Sequence, residues 1–288
     1  MGGSESIPTE ELDKPWSTFD WGQKEALKRH LESFTPSNPD VTNIKILVAG
    51  QIGAGKSSFI NSVLSVFQGE IGNEALADAS QSAASHSFTK RLRAYRIRSA
   101  HADLPFEICD IKGLEPENIS ECQIDDIVNS IYGHVKEGYK FKEKSLTDGE
   151  HYNQNPSLSD QAFCLVYIID TSTIQLAAED KIITEKLRLI RQKISDKGIP
   201  QVIVMSKVDE ASLLVKNDLK MVYRSKKIKE RMELCSAKVG VPVSHIFPVK
   251  NYHNEIDTND DVDVLILKAF DQIVRSADAR LRRGASNI

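Results

Sequence analysis

Eight consecutive residues, Gly50-Gln51-Ile52-Gly53-Ala54-Gly55-Lys56-Ser57, carry the strongest chemical signal in the chain. They read G-x-x-x-x-G-K-S, the spacing of a loop that wraps phosphate. Glycine is needed where backbone must curl or come close to an anion. The N–H groups from Gly50 through Ser58, with Gly53, Ala54 and Gly55 at the centre, then surround phosphate oxygens, helped by the N-terminus of the following helix. In that arrangement Lys56 reaches the β- and γ-phosphates, and the Ser57 hydroxyl ligates Mg²⁺. The flanks agree. Ile44 to Ala49 is apolar and β-branched, as a buried strand would be, and Ser58 to Leu64 has helical character.

Further short motifs fall where such chemistry needs them. Asp110-Ile111-Lys112-Gly113 is D-x-x-G directly after a strand-like run. Its Asp110 would hold Mg²⁺ through water, and the Gly113 N–H would sense a γ-phosphate. Thr89, just ahead of an arginine-rich strand, is placed to close on Mg²⁺ and γ-phosphate. An ordinary strand-entry threonine is nearly as good a description. Ser206-Lys207-Val208-Asp209 is similar to the N/T-K-x-D sequence that reads guanine. Asp209 would accept from the guanine N1–H and N2 amine, a pair adenine does not offer. A site built on such bonds discriminates strongly, because the wrong base leaves polar groups unpaired. The Lys207 stem would lie along the base. Ser206 stands where Asn or Thr is usual, which is expected to weaken the brace to the phosphate loop. Lys250 and Asn251 follow the last strand and would present a short loop to the base. Cys235-Ser236-Ala237-Lys238 contains S-A-K but precedes that strand, and is set aside.

The elements that must position these residues alternate. Strands are expected at 44–49, 90–98, 106–109, 163–169, 201–205 and 243–249. Helices are expected at 58–67, 123–135, around Ile183, Leu187, Ile190 and Ile194, at 211–238, and around Ile266 to Ala277. Residues 69–87, rich in small polar types, read as a loop. Alternation of this kind gives a mostly parallel sheet covered on both faces, with ligands beyond the carboxyl ends of the strands. Residues 1–40 form an arm ahead of a domain at 41–288. Its Trp16, Phe19, Trp21, Leu27, Leu31 and Phe34 have partly helical spacing. The helix would start near Ser17-Thr18, stop before Pro36, and dock on the domain surface.

Bulk properties exclude several classes. The chain has 288 residues, 40% hydrophobic and 27% charged, with a net charge of −4. That balance does not suggest nucleic-acid binding. No apolar run is long enough to span a bilayer. The four cysteines show neither zinc spacing nor a disulfide framework, which suits a reducing cytoplasmic setting. Lys226, Lys227, Lys229 and Arg231 are interleaved with Glu230 and Glu233, as on a solvated helix face. Met1 to Ser6 fits the N-myristoylation pattern with Gly2 as acceptor, although a flexible tail or cloning remnant describes it better.

The spacings together resemble a translation-factor-type GTPase domain: a P-loop NTPase, small-GTPase-like α/β fold with a mostly parallel six-stranded sheet, helices on both faces and one antiparallel edge strand. From about Asp13 onward the chain also resembles the interferon-induced protein 44 and 44-like family. The lines that carry this are LVAGQIGAGKSSFINSV, SFTK, CDIKGLEP, FCLVYIID, PQVIVMSKVDE and IFPVKNYHNEIDT. The resemblance implies a cytoplasmic, interferon-inducible protein of innate, antiviral immunity that binds GTP or GDP with Mg²⁺, and protein partners that read the nucleotide state. A nucleotide-dependent homodimer is conceivable, as in some larger immune GTPases. Small GTPases orient the attacking water with a glutamine after D-x-x-G. Here that place is Leu114, and Ile52 fills a loop position where Gly is frequent. Binding with slow or absent hydrolysis is therefore expected. A non-catalytic scaffold and an ATP-binding P-loop protein stand as alternatives.

Overall fold

The computed structural model describes residues 10–75, 91–100, 102–111, 114, 121–139, 141, 151–174, 181–195 and 198–285. Six strands, β1 (Ile44–Gly50), β2 (Arg93–Arg98), β3 (Asp103–Asp110), β4 (Cys164–Asp170), β5 (Gln201–Ser206) and β6 (Ile246–Pro248), form one sheet in the order β2-β3-β1-β4-β5-β6. All neighbours run parallel except β2, which pairs antiparallel with β3 at the edge, with a register shift between Arg96 and Arg98. The expected arrangement is the one observed. β1 and β4 lie in the middle and are buried almost throughout, hence their unbroken apolar character.

Side chains alternate across the sheet, so each strand feeds two cores. Ile46 and Val48 pack with α1 (Lys24–Glu32), α2 (Lys56–Gln68) and α8 (Asp260–Ala285). Leu47 and Ala49 face α3 (Glu121–Ile131), α4 (Lys181–Ser195) and α7 (Lys226–Val239). On α4, Leu187, Ile190 and Ile194 are buried, as their spacing predicts.

The long helix expected at 211–238 is not one helix. It is α5 (Val208–Ala211), α6 (Leu213–Asn217), a 3-10 segment (Leu219–Arg224) and then α7. Each break is a cap. Ser212, Asp218 and Ser225 accept from the backbone N–H of Val215, Lys220 and Ile228 in turn. The last strand is also shorter than expected, because Val243–His245 forms a 3-10 turn ahead of β6.

The arm docks, but not by the helix expected from Ser17. Leu12 N–H and Trp16 N–H donate to the carbonyls of Arg224 and Tyr223 at 2.8 and 3.0 Å. The Trp16 and Phe19 rings then pack on Tyr223, with centroids 5.0 and 4.8 Å away. Only from Lys24 does α1 begin, burying Leu27 and Leu31. It is held to α8 by Lys24 on Asp263 at 2.8 Å, and the residues after it by the Ser37 N–H on Asp278 at 2.9 Å.

Candidate functional site

The phosphate loop joins β1 to α2 at the carboxyl edge of the sheet. Gly50 touches β4 so closely that a Cβ there would run into the Ile168 carbonyl oxygen. Gly55 is the N-cap of α2 with φ of 88°, and a Cβ on it would stand 3.0 Å from Asn251 Nδ2 and 3.6 Å from Ser206 Oγ. Neither position admits a side chain, so the loop's path is fixed by its neighbours as much as by its own glycines. Gly53, with φ of 74°, has nothing within 4 Å of its missing Cβ, which leaves the outer rim of the loop open. No acidic residue occupies the first turn of α2, so the helix N-terminus keeps its preference for anions.

Lys56 is buried, and its Nζ donates back to the Gly50 and Gln51 carbonyls at 3.1 and 2.9 Å. Burial pushes its ammonium pKa below the ordinary range, and the Asp110 carboxylate opposes that shift. Ser57 Oγ donates to Asp110 Oδ2 at 3.3 Å, bringing the hydroxyl and the carboxylate together at the end of β3. Ser58 follows in the same turn, half-buried. Hydroxyl and carboxylate oxygens suit Mg²⁺, which keeps water and phosphate oxygens as its other ligands. Among the described residues no cluster of three or more His, Cys, Asp or Glu side chains could hold a metal alone.

Leu114 also meets the loop. Its N–H donates to the Gly50 carbonyl at 2.9 Å, its own carbonyl accepts from Ile52 at 3.3 Å, and its side chain is buried. Thr89 and Gly113 lie outside the described residues.

The other half of the site is built from β4, β5 and the segment after β6. Ser206 ends β5, and its Oγ donates to the Ala54 carbonyl at 2.6 Å, so the brace to the phosphate loop is made by serine after all. Asn251 adds a second brace, Nδ2 to the Gly55 carbonyl at 3.2 Å. Lys207 is the N-cap of α5 with φ of 56°, the one positive φ outside glycine among the described residues. Its Nζ pairs with Asp170 Oδ2 at 2.8 Å. Asp209 is half-buried in the first turn of α5, and its carboxylate engages no partner among the described residues. Lys250, which precedes Asn251, pairs through Nζ with Glu255 Oε1 at 2.6 Å. Against the effect of its burial, the His253 N–H, that ammonium and its own backbone N–H hold the Glu255 carboxyl down at about 2.

The structure thus brings the loop residues, Asp110, Ser206, Lys207, Asp209 and Asn251 to one edge of the sheet. The S-A-K of residues 236–238 lies inside α7 and takes no part. Sequence reasoning passed over Asp170, whose partner is 37 positions away. The one available signal was an acidic residue closing an apolar strand, followed by Thr-Ser-Thr.

No protein-family profile matches the chain. Human interferon-induced protein 44 is 34% identical over 259 residues, covering 88% of this chain and 57% of the human protein. Human interferon-induced protein 44-like is 29% identical over 252 residues, covering 86% and 54%. The mouse interferon-induced protein 44 is 30% identical over 256 residues. The chain therefore spans little more than half the length of these relatives. Among solved structures, a dimerisation-deficient mutant of Toc33 from Arabidopsis thaliana superposes with a TM-score of 0.51 at 13% identity, covering 88% of this chain and 90% of that one. A likeness at that identity speaks for the fold alone. Over the region it shares with these relatives, the chain resembles the interferon-induced protein 44 and 44-like family at 29% to 34% identity, on a P-loop GTPase fold.

Proposed function

We propose that this chain is a guanine-nucleotide-binding switch of the interferon-induced innate, antiviral response, with slow or absent hydrolysis. One observation carries the reading. A phosphate loop with Asp110 and a base-reading Asp209 stand at the same sheet edge, cross-braced by Ser206 on Ala54 and Asn251 on Gly55. Lys56, Ser57 and Asp110 serve phosphate and Mg²⁺; Asp209 and Lys207 serve guanine. Mg²⁺ when bound neutralises phosphate charge, and the residues named hold and orient the nucleotide around it.

The weak-hydrolysis part rests on Leu114. A buried leucine whose backbone is laddered to Gly50 and Ile52 offers no side chain to orient a water. The γ-phosphate would order the segments 69–90 and 111–125, and a protein partner or a second copy would read that order. Toc33 offers a precedent for dimerisation on this fold. A cytoplasmic location fits; among the described residues no helix is long and apolar enough to cross a membrane. We divide the chain, as read from its sequence, into an arm at 1–40 and a nucleotide-binding domain at 41–288.

Isothermal titration with GTP, GDP and ATP, each with Mg²⁺, tests the reading. Guanine nucleotides alone should bind, and Asp209→Ala should erase the preference over ATP. Equal binding of ATP moves the chain to the ATP-binding alternative; no binding of any moves it to a scaffold that kept the fold.

A further inference from the structure

Four residues at the end of β4, Asp170-Thr171-Ser172-Thr173, form a turn in which every side chain is used. Asp170 Oδ1 accepts from both Ser172 N–H and Ser172 Oγ, at 2.8 and 2.6 Å. Thr173 N–H and Oγ1 close on the Asp170 carbonyl at 3.2 and 2.9 Å. Thr171 N–H and Oγ1 both donate to the Ser206 carbonyl, at 3.0 and 2.5 Å. From behind, Arg231 of α7 donates to the Thr171 carbonyl at 2.6 Å. The turn is therefore rigid in itself and stitched to the first residue of the S-K-V-D loop.

The second oxygen of the Asp170 carboxylate, Oδ2, takes Lys207. Asp170 is buried, and Lys207 sits in a left-handed backbone conformation that a non-glycine residue keeps only when its surroundings hold it. An ammonium fixed by a buried carboxylate cannot swing, so the lysine's methylene stem keeps one course next to Asp209.

We infer that Asp170 is a positioning residue for nucleobase recognition: it holds Lys207 so that the stem forms a wall for the guanine ring while Asp209 reads its edge. The inference rests on the guanine reading proposed above. Nothing in it touches phosphate, so base affinity and phosphate affinity separate.

The test uses Asp170→Asn, which keeps an oxygen for Ser172 and replaces the charged acceptor facing Lys207 with an amide donor. GDP, ADP as the control for the base, and inorganic tripolyphosphate as a probe of the phosphate loop alone, are titrated into wild type, Asp170→Asn, Lys207→Ala and the double variant. GDP affinity should fall about tenfold in Asp170→Asn, as for loss of one charge-assisted hydrogen bond. Tripolyphosphate affinity and melting temperature should hold, and the double variant should be no weaker than Lys207→Ala. GDP affinity within about twofold of wild type, or losses that multiply in the double variant, would overturn the inference. If Asp170→Asn melts early, Lys207→Ala alone decides, since unchanged GDP affinity there removes the wall. A wild type that prefers GDP to tripolyphosphate no more than it prefers ADP defeats the guanine reading itself, and this inference with it.

Discussion

Lys56 and Lys207 stand at the two ends of one site, and each has its ammonium group held, but by different chemistry. Lys207 faces a buried carboxylate. Lys56 is more deeply buried, and its direct partners are two neutral carbonyls of its own loop, with Asp110 acting only through space. Charge buried against dipoles alone is poorly compensated. The phosphate end therefore gains from an arriving anion, whereas Lys207 at the base end already has its counter-charge and offers the base only its stem. One end of the site is built to change partners and the other to stay put.

The sharpest way to break this comparison is Lys56→Met. It should weaken GDP binding by about 100-fold or more, since a charge-assisted contact to phosphate is lost inside a water-poor loop. At the same time it should leave the melting temperature without nucleotide unchanged or higher, because a poorly compensated buried charge is gone. A drop in both would show that Lys56 is structural in the way Lys207 is. Next in size comes the tenfold GDP effect expected for Asp170→Asn.

Smaller still are the braces. Ser206→Ala and Asn251→Ala each remove one hydrogen bond to the phosphate loop and should lower the free energy of unfolding in urea by about 1 kcal/mol. A sum well beyond additive would mean that the braces act as one unit.

A pH-dependent effect concerns a third buried charge, Asp126 on α3. Burial raises its carboxyl from 3.8 to about 6; the Tyr139 hydroxyl at 3.5 Å opposes this and the Asp125 charge adds to it. Between those two values the folded chain holds a proton that the unfolded chain has released. Stability therefore falls as pH rises through that window and stays lower above it. Asp126→Asn should flatten the urea midpoint between about pH 4 and 6 and raise it at about pH 7. An unaltered pH profile would place Asp126 among the well-compensated charges.

Most of the sheet was legible because buried parallel strands are written locally, as the apolar runs at 44–49, 163–169 and 201–205. The loop, Asp110 and Asp209 were legible for a related reason: fixed spacing next to a strand end. What was not legible depends on partners distant in sequence. The periodicity of 211–238 hid three caps, although Ser212, Asp218 and Ser225 are themselves good N-cap residues. The aromatic spacing of Trp16, Phe19 and Trp21 read as a helix, when it answers to docking on Tyr223. The Ser206 brace runs to Ala54, 152 positions away, a partner that spacing alone does not reveal.

The clasp between the arm and the rest of the molecule also sets a timetable for synthesis. Glu10 meets Ser212 across 202 positions and Ser37 meets Asp278 across 241. A ribosome adding roughly 5–20 residues per second leaves the arm waiting on the order of ten to fifty seconds for α8. Through that interval Leu27 and Leu31 travel without α8, while Trp16 and Phe19 wait only for Tyr223. A message truncated ahead of α8 would leave the first part of the arm its seat on Tyr223 but give α1 nothing to pack on.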